Sequence, residues 1–164
     1  MGKYDYLKKY INNNADEPAH NYFSAVTIQE IEEAESNLGF LFPQALKEFW
    51  LEIGAGRLTS SINGAKAINN NLIFSPDAIA DIMLLKEESE YILPEAVKYI
   101  ETGYIKENDI IFFDIGDLSS FLVMKPSSDK PDAIYSMLGR IKEEHFERFI
   151  WRLYHESPDY YLYV

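Results

Sequence analysis

Residues 27–56 read TIQEIEEAESNLGFLFPQALKEFWLEIGAG. Thr27 and Glu30 have the spacing of a capping box, in which the Thr27 hydroxyl takes the Glu30 N–H while the Glu30 carboxylate reaches back. The helix behind them sets Ile28, Ile31, Ala34 and Leu38 on one face. Its acid-rich first turn suits the positive end of the helix dipole. Gly39 stops it. Pro43 is expected as the first residue of the next helix. In that helix Leu46, Phe49, Trp50 and Ile53 recur at i, i+3, i+4 and i+7, a core stripe. Gly54 is expected to end it in the left-handed conformation, with Gly54-Ala55-Gly56 as a tight turn.

One side chain conflicts with this pattern. With Ile28 at zero and about 100° per residue, Ile31, Ala34 and Leu38 fall near about 300°, 240° and 280°, and Glu35 near about 340°. Glu35 thus lies in or beside the apolar arc, while Glu32 and Glu33 point away. An unpaired carboxylate there is costly. The nearest donors are the N–H groups that open the Pro43 helix, where the dipole favours an anion. Glu35 is therefore expected to tie the two helices together, a structural role rather than a catalytic one.

Outward from this pair, Tyr4, Leu7, Tyr10 and Ile11 predict a short first helix. Leu72-Ile73-Phe74 reads as a strand, and Ser75-Pro76-Asp77 opens a helix with Ile79, Ile82, Met83 and Leu85 on its apolar side. Pro94 opens one more turn through Tyr99. The period then changes. Ile110–Phe113, Phe121–Met124 and Ala133–Met137 are short β-rich runs between Gly, Asp, Ser and Pro clusters, the first two a hairpin around residues 114–119. Phe146, Phe149, Ile150 and Leu153 mark a last helix, and the aromatic tail Pro158–Val164 packs down or adds an edge strand. Helices, a meander and a helix make an α+β fold, an antiparallel β-sheet flanked by helices.

A length of 164 residues suits one domain over residues 1–164. With 47% hydrophobic and 15% aromatic residues the chain has the means for a packed core, which excludes disorder. The lack of Cys removes disulfides, zinc fingers and thiolate chemistry. Against 27 acids stand 15 bases, a net charge of −12. Such a surface repels nucleic acid and anionic membrane and favours basic proteins. Residues 10–46 hold six acids and no Lys or Arg, and residues 67–124 hold eleven acids against three Lys. The apolar runs are too short to span a bilayer and the N-terminus has no apolar signal core, so a cytoplasmic protein is expected.

The Thr27–Gly56 stretch resembles the opening signature of the SUKH superfamily: a Thr-capped helix with Glu, Leu38-Gly39, Phe42-Pro43 where Leu-Pro is usual, a second amphipathic helix and a closing Gly54-x-Gly56. Later the chain matches in outline, through a strand, the acidic turn Asp114–Asp117, two strands and a terminal helix with Phe146; residues 92–108 read as an insertion. The superfamily holds bacterial immunity proteins and the domain of the yeast cell-wall-synthesis regulator. The resemblance implies an α+β domain that acts by binding proteins and needs no cofactor or metal.

The remaining motifs have plain readings. Gly54-Ala55-Gly56 lacks a third Gly and follows a helix, so it is no nucleotide loop. His20, His145 and His155 have no metal-ligand spacing and read as surface residues. Asp114 and Asp117 could pair as acid and base or hold a cation, but Asp and Gly are also what a turn requires. Ser119 and Ser120 stand in no nucleophile motif. Glu87-Glu88-Ser89-Glu90 is a solvated helix end whose acids oppose the dipole, a hint of a basic partner.

On the resemblance, the expected protein is a non-enzymatic immunity protein that occludes a cognate toxin domain, a basic nuclease. Its acids then steer association. Glu87, Glu88, Glu90, Asp114 and Asp117 are the candidates for steering, and Tyr160, Tyr161 and Trp50 for anchoring where they are exposed, with Trp50 assigned first to the core. The other reading is a regulatory module that binds peptides or signalling proteins weakly, as the yeast relative's place in the superfamily suggests.

Overall fold

The computed structural model describes residues 2–12, 20–87, 94–116 and 120–164. Among them lies one antiparallel sheet of seven strands in sequential order, a meander: β1 (Tyr22–Ser24), β2 (Ala55–Arg57), β3 (Leu72–Ile73), β4 (Ile110–Gly116), β5 (Ser120–Met124), β6 (Ile134–Ser136) and β7 (Ile141–Glu143). The helices are α1 (Ile28–Leu38), α2 (Gln44–Glu52), α3 (Pro76–Met83), α4 (Pro94–Glu101) and α5 (Phe146–His155), with 3₁₀ turns at Asp5–Tyr10 and Tyr160–Tyr163. The expected α+β architecture, an antiparallel sheet flanked by helices, is the one found.

Both arms of the α1 capping box are present, and Gly39 closes the helix at φ +84°. Ile31 and Ala34 are buried as their phase requires, but Ile28, in the first turn, is 60% exposed. Pro43 sits one residue earlier than expected: it is the N-cap of α2, and the helix starts at Gln44. The α2 stripe of Leu46, Phe49, Trp50 and Ile53 is fully buried. The α5 stripe of Phe146, Phe149, Ile150 and Leu153 is buried as well, and Phe49 meets Phe146 edge-on at 5.6 Å between centroids. Phe112 and Phe113 of β4 extend that aromatic core from the sheet side.

The Gly54-Ala55-Gly56 turn is a correction. Gly54 follows the end of α2 with the positive φ expected of it, +122°, but the chain then runs straight into strand β2 instead of through a tight turn. A Cβ on Gly54 would collide with the Ser24 carbonyl oxygen, and one on Gly56 with that of Tyr22. These glycines are the condition for β1 to lie against β2, where Phe23 pairs with Gly56. The acidic turn also moves. Strand β4 runs on through Asp114 to Gly116, so Asp114 is a strand residue; Asp117 lies outside the described residues. Leu85 lies beyond the end of α3 at φ +55° and is 37% exposed, rather than on the apolar side of that helix. The tail packs down as a 3₁₀ turn that buries Tyr160 and Tyr161, and forms no strand.

Candidate functional site

Helices α1 and α3 pack side by side. Each begins with a side-chain cap and a first-turn acid, Thr27 with Glu30 and Ser75 with Asp77. Burial of Ile31 and Ala34 on one helix and Ile79 and Ile82 on the other turns Glu32, Glu33 and Asp77 outward. Burial and the nearby carboxylates of Glu30, Glu33 and Asp81 hold the Asp77 carboxyl above its ordinary range. Lys86 pairs with Asp81 at 3.2 Å. Neither Glu32 nor Glu33 has an ion pair among the described residues, and both are exposed. Crowded like charges store an unfavourable energy that a cationic surface relieves.

Of the steering residues read from the sequence, the structure describes Glu87 and Asp114. Glu87 is exposed, while Glu88, Glu90 and Asp117 lie outside the described residues. Asp114 is 2% exposed and sits in the sheet, with Asn70 Nδ2 3.5 Å from its Oδ2, so it presents no charge to a partner. Tyr160 and Tyr161 are buried too, and the condition for their anchoring role fails. The Tyr161 hydroxyl donates to Asn71 Oδ1 at 2.5 Å, and that of Tyr160 to Glu143 Oε2 at 3.2 Å beneath the Arg152 guanidinium. Burial pushes both phenols far up from their ordinary range. Trp50 belongs to the core, its Nε1–H donating to the Phe74 carbonyl at 3.0 Å.

Among the motif residues, Thr27, Glu30, Glu35 and Gly39 have the structural roles their spacing suggests. Glu35 Oε2 accepts the Phe42 N–H at 2.7 Å and lies 3.2 Å from Lys47 Nζ on α2. It therefore joins the two helices, although the donor belongs to the residue before Pro43.

The exposed tryptophan is Trp151, on the outer face of α5 and 46% exposed. Its ring stacks on His155 at 4.5 Å and 17°, and the Tyr6 ring meets His155 edge-on at 4.7 Å. A cleft of about 320 Å³ beside it is lined by Lys3, Tyr6, His145, Glu147, Arg148 and Trp151. The sequence carried a signal for this residue: at about 100° per residue Trp151 falls about 140° from Phe146, off the core stripe. His20 and His145 are exposed and His155 is half-buried. Among the described residues no three His, Asp or Glu side chains are grouped to hold a metal ion, and no helix is long and apolar enough to cross a membrane. The chemistry on offer at these surfaces is recognition by charge and by aromatic contact.

No solved structure shows a significant match. The chain is 30% identical over 142 residues, 87% of its length and 88% of the relative's, to a Bacillus subtilis (strain 168) protein named "Immunity protein YxxD". Residues 25–161 match the sequence profile of the SMI1 / KNR4 family (SUKH-1), spanning α1 and α2, strands β2 to β7 and α5, and the chain belongs to that family.

Proposed function

We propose that this protein is an immunity protein: it binds a toxin domain in the cytoplasm and neutralises it by covering its active site, without catalysis. The immunity relative supports the class. The crowded carboxylates around Asp77 carry the choice of partner. A chain of net charge −12 that gathers acids on two adjoining helices fits a partner with a basic face. A nuclease has such a face, because its substrate is a polyanion. The acids then stand where phosphates would, and Trp151 adds an aromatic contact of the kind that dominates interface energies.

The test is co-expression with each toxic domain encoded beside the protein's own gene, read as growth and then as co-purification. Restored growth with a stable complex is expected. Toxicity that persists at full expression of this protein, with no complex for any such domain, would overturn the reading. A toxin that is neutralised but cleaves no nucleic acid would remove the nuclease assignment alone.

A further inference from the structure

Cross-strand neighbours Tyr22, Arg57 and Leu72 form a row on the face of the sheet opposite to the core residues Phe23 and Ile73. They line an open groove of about 460 Å³ with Ala55, Phe74 and Ala78. The last of these belongs to the first turn of α3, next to Asp77, so the groove borders the acidic face. Its walls are mostly carbon. Within it the one Lys or Arg side chain is Arg57, its guanidinium half-buried, and among the described residues it has no ion pair or hydrogen bond from its side chain.

That is an odd place for an unpaired arginine. The chain carries 27 acids, and Lys3, Lys47, Lys86, Lys125 and Arg152 each find one within 4 Å. A guanidinium partly withdrawn from water without an anion loses solvation and gains nothing back. A carboxylate entering the groove would take both N–H donors of its planar fork, the geometry arginine matches best. The apolar walls ask for hydrocarbon beside that carboxylate. The volume is at the lower end of the roughly 300–1,000 Å³ typical of ligand pockets, enough for one large side chain and its neighbour.

We infer that the groove receives a segment of the toxin that presents a large apolar side chain next to a carboxylate, with the carboxylate on Arg57. The assignment rests on the immunity reading and divides the interface in two. The acidic face sets the speed of approach, and the groove fixes the register by one charge of opposite sign to the rest.

The probe is the capped dipeptide acetyl-Phe-Asp-amide, followed by shifts of the backbone amide resonances of the whole protein. Saturable shifts at Tyr22, Arg57, Leu72 and Ala78 are expected below about 20 mM, a range proper to so small a ligand. Acetyl-Phe-Asn-amide should bind about fivefold more weakly, the worth of one partly exposed ion pair. R57Q should abolish that difference. Equal binding of the two peptides, shifts elsewhere only, or an undiminished difference in R57Q would overturn the assignment. The Asp–Asn comparison uses the unaltered protein, so it stands even if R57Q fails to fold. Failure of the peptide with growth rescue intact removes the groove and leaves the immunity reading standing; failure of rescue with the peptide bound does the reverse.

Discussion

Glu35, in the last turn of α1, accepts the Phe42 N–H at 2.7 Å while its carboxylate lies 3.2 Å from Lys47 on α2. One side chain thus holds the link between two helices and the first cation of the second. Only 10% of it is exposed. E35A leaves a half-buried N–H and a lysine without their acceptor, and should cost about 2–3 kcal/mol. E35Q keeps an oxygen for Phe42 and should recover about half of that. Urea unfolding of the two variants checks both values, and a loss below about 0.5 kcal/mol for E35A would rule out the tie.

This tie was legible because a carboxylate inside an apolar arc is an anomaly in any helix. The capping box and the stripes of α2 and α5 were legible for the same reason: their information is local. The strands β1, β2 and β7 span three residues each, too few for alternation to register. Gly54-Ala55-Gly56 has the local composition of a turn, and only the approach of Ser24 and Tyr22, thirty residues earlier, makes a strand of it. Tyr160 and Tyr161 misled because a terminal hydroxyl suggests water. Their partners, Glu143 and Asn71, are brought by the sheet and by a distant loop. The acidic face needed the pairing of α1 with α3, which no spacing within either helix announces.

The glycines provide a sharper check on β2. G56A forces a Cβ against the Tyr22 carbonyl, and G54A forces one against Ser24. Both obstacles are backbone, which cannot rotate away. Each substitution should cost more than about 2 kcal/mol. G39A, where a Cβ meets open space and only the φ of +84° is strained, should cost about 1 kcal/mol. Thermal unfolding of the three variants should rank them in that order. A G56A protein as stable as the parent would show that β1 does not lie where it is described.

Asp77 predicts a pH effect of known sign. Its carboxyl is raised by burial and by Glu30, Glu33 and Asp81. The folded chain therefore holds this proton to higher pH than the unfolded chain does. Stability falls as pH rises across the window between the ordinary and the raised value. Carboxyl carbon NMR should show Asp77 titrating late among the aspartates. The E30Q/E33Q double variant should bring it down towards its ordinary range and flatten that part of the stability curve. No change in the variant would mean that burial alone sets the shift.

The two tryptophans should report separately. Trp50 is fully buried, with its Nε1–H bound to the Phe74 carbonyl; Trp151 is 46% exposed and stacked on His155. Iodide should quench one emitting population and leave a blue-shifted one. W151F should abolish the quenched population at little cost in stability, since the ring is half in water. W50F removes a buried donor and leaves the Phe74 carbonyl unpaired, and should cost about 2 kcal/mol or more. If W151F also lowers affinity for a neutralised toxin about tenfold or more, Trp151 is an anchor of the interface.

The acidic face makes its own kinetic prediction. On the proposed function, steering by Glu32, Glu33, Asp77 and Asp81 would act on the encounter, before any short-range contact forms. E32K/E33K should slow association with the toxin about tenfold at low salt and leave dissociation nearly unchanged. Added salt should slow the parent more than the variant, so that the two rates converge as the Debye length falls from about 30 Å towards about 8 Å. Glu32 and Glu33 make no ion pair among the described residues, so the substitutions break none there. Stopped-flow association at several salt concentrations measures all of this. A parent rate indifferent to salt would place the basic surface of the toxin, if it has one, away from α1 and α3.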